Sequence, residues 1–424
     1  MITRVQAYRY RSLQNVDQSL TNFDILVGPN GSGKTTFLDV IAFLGEMVSS
    51  GLDEAIGERT ANYQDLFWRR QGQHFELAIE AQIPEELQEV LPASSNGLDS
   101  VRYQVQLGFD PVFDVLSILY ESLGLKNAYS RVEFVPYSRL FESGEHPNTM
   151  MEQIMTYNRP IIAHTASNHD ADFIAEVSED WFDKDNDRYR FRLSPVKSAL
   201  ANLPEDETKF PIAVWFKRLL MESVQKIFLN SSMLRTASRS GMGHQFRADG
   251  SNLPWLVENL KKSSKSNFTS WLKHLKTVLP ELDDIRTVNR PEDNHRYLML
   301  MYKHKVEIPS WMVSDGTLRL LALTILGYLP SLTGTYFLEE PEDGIHPRAI
   351  EAVYQSLSSA YDAQILLATH SPILLNLADL QSLLCFSKND EGATEIIRGD
   401  KHPLLRDWRH ETSLGSLLAA GVLG

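Results

Sequence analysis

The chain has 424 residues, 43% of them hydrophobic, and a formal net charge of −14. That length accommodates one large domain with an insertion, or two domains, and the acidic balance excludes bulk coating of nucleic acid, leaving only contact through a local basic face. The single cysteine, Cys385, sits in an apolar run as a core filler, which excludes a disulfide framework and a cysteine-based zinc site; no run reaches the roughly 18 apolar residues that span a bilayer, and the charged start MITRVQAYRYR is no signal peptide, so a cytoplasmic chain is expected.

Residues 1 to 27 read as strands around a turn: Val5, Ala7 and Tyr8, then Val16 and Leu20, then the apolar Ile25, Leu26 and Val27. Arg9 and Arg11 stand just upstream of the loop that follows, either as phosphate or nucleic-acid contacts or as exposed strand arginines. The loop is GPNGSGKTT, comprising Gly28, Pro29, Asn30, Gly31, Ser32, Gly33, Lys34, Thr35 and Thr36. It matches GxxxxGK(S/T), a phosphate cradle in which glycines let backbone N–H groups converge on the β- and γ-phosphates at a helix N-terminus. Lys34 reaches the terminal phosphates, and the Thr35 hydroxyl ligates Mg²⁺. Phe37, Leu38, Ile41 and Leu44 continue at helical spacing, so the loop has the strand-before, helix-after context its chemistry needs.

Residues 75–83, 101–109 and 115–123 have the composition of half-buried strands and predict a β-rich flank. From about 124 to 210 periodicity weakens. His164, His169, Asp170 and Asp172 fall close together in that stretch, but their loop-like spacing fits no usual zinc pattern, and a solvated or hydrogen-bonded cluster is expected. Prolines 136, 147, 160, 195, 204 and 211, and the absence of a/d heptads, exclude a long coiled-coil arm. Residues 212–229 and 253–260 read as helices. Between them a Gly- and Ser-rich stretch with Arg235, Arg239 and Arg247 predicts a mobile basic loop. Lys261, Lys262, Lys265, Lys273 and Lys276, interleaved with Phe268 and Trp271, read as a solvated helix face over two core aromatics, with phosphate-backbone contact as the alternative.

Three further signals follow near the C-terminus. A loop ending in Ser314, Asp315, Gly316 and Thr317 opens an apolar helix within residues 311–329, a second anion-binding helix start. A buried strand through Tyr336, Phe337 and Leu338 delivers Glu339 and Glu340 at its C-terminal edge, where open α/β sheets place their chemistry. Another, Ile365 to Ala368, delivers Thr369 and His370.

With these residues in this order the chain resembles the ABC-type ATPase heads of the SMC, RecF and OLD-like families, and most closely the stand-alone AAA-family ATPases of prokaryotic defence operons. The specific motifs cover residues 1 to 48 and about 310 to 375. GPNGSGKTT is similar to Walker A, VSDGT at 313–317 stands where the ABC signature falls, and YFLEEPEDGIHP at 336–347 is similar to Walker B plus D-loop. The resemblance implies Glu339 as the magnesium-facing acid, Glu340 as catalytic base and His370 as the switch histidine. There are departures. Glu339 replaces the usual Asp and adds a methylene that routes its link to Mg²⁺ through water, Asp315 replaces a signature glycine, and His346 stands where transporters carry Asp. No Q-loop residue is assigned: Gln82 ends a strand and Gln153 precedes an apolar patch.

The fold implied is an α/β ABC/SMC-like P-loop ATPase head, a mixed sheet core with a β-rich flank and a helical second lobe, without a long coiled coil. Its expected parts are 1–123 with Walker A, 124–310 as insertion and helical lobe, and 311–424 with signature, Walker B and switch histidine. The cofactors implied are ATP and Mg²⁺. Two heads pair as a homodimer, or a higher assembly built from it, with Ser314 and Gly316 of one facing Lys34 of the other across ATP. Only 54 residues follow His370, too few for the Toprim domain that OLD nucleases append, so a separately encoded nuclease or toxin is the expected effector in antiphage defence. The alternative is a RecF-like repair ATPase that binds DNA directly; a transporter subunit is disfavoured by the long insertion and the missing signature glycine pair. The C-terminal ETSLGSLLAAGVLG reads either as a docking segment or as a capping helix.

Overall fold

The computed structural model describes residues 1–95, 97–110, 115–127, 159–165, 170–177, 188–330, 332–405 and 413–419. It divides into two compact units, the first made of residues 1–20, 35–224 and 388–396, the second of 21–34, 225–387 and 397–424. The first unit opens with the hairpin β1 (Ile2–Tyr10) and β2 (Leu13–Ser19). The chain then gives β3 (Phe23–Val27) to the second unit and runs on through helix α1 (Lys34–Ser49) to β4 (His74–Gln82), β5 (Ser100–Asp110) and β6 (Val115–Lys126). The strands β7 (Arg159–Thr165), β8 (Asp170–Ile174) and β9 (Arg188–Arg192) complete an eight-stranded sheet in the order β2-β1-β4-β5-β6-β7-β8-β9.

One face of that sheet is apolar, with Phe75, Leu77 and Ile79 of β4 fully buried, as alternation requires. The polar face is buried as well. Glu80 lies 3.0 Å from Arg102 Nη1 and 2.8 Å from Lys126 Nζ, and these cations, with Arg4, outweigh the burial that would otherwise raise its pKa and hold it below the usual range. The weak periodicity after residue 124 therefore conceals three strands that extend this sheet. His164 lies on β7, fully buried, with Nδ1 3.7 Å from Glu121; Asp172 on β8 pairs with Arg188 and Arg190. Neither is part of a loop-like metal cluster, and among the described residues no group of three or more His, Cys, Asp or Glu could hold an ion. His169, Gln153, Pro136 and Pro147 lie outside the described residues.

The apolar run 212–229 is not one helix. Helix α2 (Pro211–Glu222) ends at Ser223, whose N–H closes the last turn on Leu219, and β10 (Val224–Ile227) follows as an edge strand. An apolar run this dense satisfies both periods, and only the neighbouring strand decides between them. In the second unit come α3 (Ser231–Arg235), α4 (Leu253–Ser263), α5 (Lys265–Val278) and the antiparallel β11 (Leu282–Asn289), β12 (Arg296–Tyr302) and β13 (Val306–Pro309). Phe268 and Trp271 of α5 are core residues, as the sequence reading has them, while Lys261 and Lys262 pair with Asp284 and Glu258.

Helix α6 (Asp315–Thr324) precedes β14 (Gly334–Glu339), α7 (Pro347–Ser358), β15 (Ala363–Ala368), α8 (Pro372–Leu377), β16 (Leu383–Lys388) and β17 (Thr394–Arg398). A six-stranded sheet runs β10-β14-β15-β3-β16-β17. The pairings β14 with β15, β15 with β3 and β3 with β16 are parallel, which is why these strands are apolar on both faces. Cys385 is buried on β16 and its thiol is pushed up to about 12, as a core filler should be. Leu414 joins the core and Gly415 N–H bonds to Asn376 Oδ1, so the described part of the C-terminal segment caps this unit. The longest helix among the described residues has 16 residues, so no long coiled coil occurs there.

Candidate functional site

Parallel register brings three chain segments to one sheet edge. Glu339 sits opposite Ala368, and Ala368 opposite Leu26, so the residues after β14, β15 and β3 leave the sheet side by side. Thr369 N–H bonds to Leu26 O at 3.1 Å and Glu340 N–H to Ala368 O at 2.8 Å, extending the ladder one step past the strands.

After β3 the loop turns through positive φ at Gly28, Gly31 and Gly33. At Gly28 the requirement is also steric, because a Cβ would lie 2.2 Å from Phe386 O. Pro29, Asn30 and Gly31 are exposed, Ser32 and Gly33 are buried, and Ser32 N–H closes a turn on Pro29 O. Lys34 is buried and folds back over the loop, its Nζ donating to Gly28 O at 2.7 Å and Pro29 O at 3.0 Å. Burial pulls its pKa below the lysine range while Glu340 and Glu339 push the other way. Thr35 is exposed and Thr36 half-buried in the first turn of α1.

Glu340 takes φ 46°, a left-handed conformation that costs a non-glycine residue about 1–3 kcal/mol. His370 Nε2 lies 4.0 Å from Glu340 Oε1. Burial and then Lys34 lower the imidazole below its ordinary 6.5, with Glu340 opposing, so it is neutral at pH 7. Glu339 Oε2 pairs with Lys226 Nζ at 2.7 Å, while its Oε1 is buried without a hydrogen-bond partner. Thr369 donates to Glu342, the next acid of the same turn, whose carboxyl is raised chiefly by burial.

Ser314 caps α6: its Oγ accepts from Thr317 N–H at 3.3 Å and lies 2.8 Å from Thr317 Oγ1. Gly316 is pressed to the turn after Glu340, where a Cβ would stand 2.4 Å from Gly344 O. Asp315, in the place of a signature glycine, is exposed and held by Arg235, whose Nε and Nη2 reach Oδ1 at 2.8 and 2.6 Å and whose Nη1 donates to Trp311 O. His346 caps α7, its Nδ1 accepting from Arg348 N–H. Lys34, Glu339, Glu340 and His370 are thus brought together. No hydrogen bond or ion pair among the described residues joins Ser314, Asp315, Gly316 or Thr317 to Lys34, Glu340 or His370.

Two residues of this region escaped the sequence reading. Lys226 falls inside the expected helix 212–229, and Val-Gln-Lys-Ile has no strand alternation to signal otherwise; Arg235 falls in the expected mobile loop but ends a short helix and grips Asp315. The donor set suits Mg²⁺: the orphaned Glu339 oxygen and a threonine hydroxyl are hard oxygen donors, and Mg²⁺ takes one or two such groups together with phosphates instead of a protein cage.

A family model described as "AAA domain, putative AbiEii toxin, Type IV TA system" matches residues 25–376. Among solved structures the chain is similar to an SMC head bound to the C-winged helix domain of ScpA, at 13% identity, covering 93% of this chain and 97% of that one, with a TM-score of 0.52. It also matches an SMC head with an extended coiled coil bound to the C-terminal domain of ScpA derived from Pyrococcus furiosus (11% identity, 93% and 95% covered, TM-score 0.49) and the SMC head from Thermotoga maritima (12%, 94% and 98%, 0.41). At such identities the likeness is one of fold, and it rests on the first of the three. No curated protein matches the chain.

Proposed function

The chain belongs to this AAA-domain family and has the fold of an SMC-type ATPase head, and from that premise we propose that it binds and hydrolyses ATP as a dimeric switch controlling a separately encoded effector, a nuclease or toxin, in prokaryotic antiphage defence. The observation that carries the catalytic part is the register that sets Lys34, Glu339, Glu340 and His370 at one edge of a parallel sheet, with Lys34 in the field of both carboxylates.

In this reading the N–H groups of Gly31 to Thr35 and the Lys34 ammonium hold the triphosphate. To do so Lys34 exchanges its two carbonyl acceptors for phosphate oxygens. Thr35 and Glu339 would hold Mg²⁺, which would supply charge neutralisation to the phosphates. Glu340 orients the attacking water and accepts its proton, and His370 donates a hydrogen bond from a ring N–H to the γ-phosphate. Ser314 and Gly316 of a partner subunit complete the phosphate shell. That the family is described by a toxin of a toxin–antitoxin system supports a defence setting for the chain.

Two variants test the catalytic reading. Lys34→Ala should abolish ATP binding measured by calorimetry. Glu340→Gln should retain binding and lose at least about a hundredfold in turnover, because an amide cannot accept the water's proton. Wild-type turnover by Glu340→Gln would remove Glu340 from its role.

A further inference from the structure

Lys226 has no part in the mechanism above, yet its ammonium sits on the acid assigned to the metal. It projects from β10, the edge strand beside β14, and meets Glu339 Oε2 at 2.7 Å. An exposed lysine pairing with an exposed acid would carry little meaning. Glu339 is different, because its side chain is 30% exposed but one of its oxygens is buried and makes no hydrogen bond, so water reaches the carboxylate from one side only and Lys226 is the cation in direct contact with it. The lysine is itself about half exposed and sits on a flexible stem at a sheet edge, so it can leave that position at small cost.

We propose that Lys226 is a tethered counterion that competes with the divalent cation for Glu339, so that Mg²⁺ is held firmly only when phosphate oxygens fill the rest of its shell. The inference deepens the functional reading and rests on Glu339 being the magnesium-facing acid. A monovalent ammonium offsets the single negative charge that the carboxylate offers a dication, and any cation placed at the free oxygen while Lys226 remains is repelled at close range. Triphosphate supplies the extra negative charge and ligands that tip the exchange. Metal without nucleotide is disfavoured, and the site does not form a catalytic metal centre ahead of its substrate. The residue is a positioning residue, since it acts through Glu339 and not on the reacting atoms.

The test is Mn²⁺ binding followed by electron paramagnetic resonance on full-length protein, without nucleotide and with a non-hydrolysable ATP analogue. Lys226→Met, which keeps the stem and removes the charge, should bind Mn²⁺ without nucleotide at least about threefold more tightly than wild type, the scale of a partly exposed ion pair. Lys226→Arg should return close to wild type. Adding Glu339→Gln to Lys226→Met should erase the gain. Lys226→Gln serves if the methionine variant does not fold. Equal or weaker Mn²⁺ binding by both neutral variants, or a gain that survives Glu339→Gln, overturns the proposal. Failure of the wild type to bind the ATP analogue instead defeats the functional reading, and the nucleotide-free comparison still reports on Lys226.

Discussion

His370 shows how a single side chain is tuned by its neighbours. Burial and the nearby Lys34 charge both disfavour the imidazolium, and Glu340 only partly offsets them, so the ring protonates below 6.5. The sign follows directly. As pH falls from 6.5 the unfolded chain takes up its proton first, so the contribution of neutral His370 to stability is present above that pH and is lost on acidification. Turnover should show the same direction, with an acid limb placed below pH 6.5, because an imidazolium pairs with Glu340 and weakens it as the base that accepts the water's proton. His370→Gln should lower kcat and remove that limb from the pH–rate profile. A limb unchanged in the glutamine variant would assign it to another group.

At the scale of elements, α6 is docked by three interactions from three distant segments. Arg235 grips Asp315 at its first turn, Gly316 lets the backbone approach Gly344, and Trp271 of α5 donates from Nε1 to Thr324 Oγ1 at 3.0 Å in the core. Helix propensity and packing make opposite predictions for Gly316→Ala. Propensity alone favours alanine by about 1 kcal/mol. A Cβ 2.4 Å from the Gly344 carbonyl must instead push the helix off the turn that follows Glu340, and overpacking of this kind costs about 1–3 kcal/mol. The denaturant midpoint of Gly316→Ala should fall, with an unchanged slope; a rise would mean that the close approach is not maintained in solution.

At the scale of the molecule, the proposed sandwich requires that each site be completed by a second copy. Lys34→Ala and Ser314→Arg should each inactivate a homodimer while damaging opposite faces of the shared interface. Mixed in equal amounts with random pairing, half the dimers are mixed and each holds one intact site, so roughly a quarter of wild-type turnover should return if the sites act independently. Strict cooperativity between sites would suppress that rescue, so light scattering accompanies it. Glu340→Gln should dimerise with ATP, and adding Ser314→Arg should prevent this. A Glu340→Gln protein that stays monomeric at saturating ATP removes the shared site.

The features legible in the sequence are those whose physics is local. A glycine-rich phosphate loop, a serine capping a helix and acids ending an apolar strand are each written in consecutive residues, because backbone conformation and hydrogen-bond reach within a few positions determine them. Gly28 to Thr36, Ser314 to Thr317, Glu339–Glu340 and Thr369–His370 were therefore visible together with the α/β head that orders them. Other features depend on partners far away in the chain. The strands β7 to β9 carry weak alternation and exist because each pairs with a neighbour, and β10 differs from a continuation of α2 only because β14 lies beside it. The same holds for the ion pairs of Lys226 with Glu339 and Arg235 with Asp315, whose members lie in separate segments. Local sequence set the chemical groups of the candidate site; tertiary packing decided which charge each of them faces, because Coulomb energy depends on distance in space and not on separation along the chain.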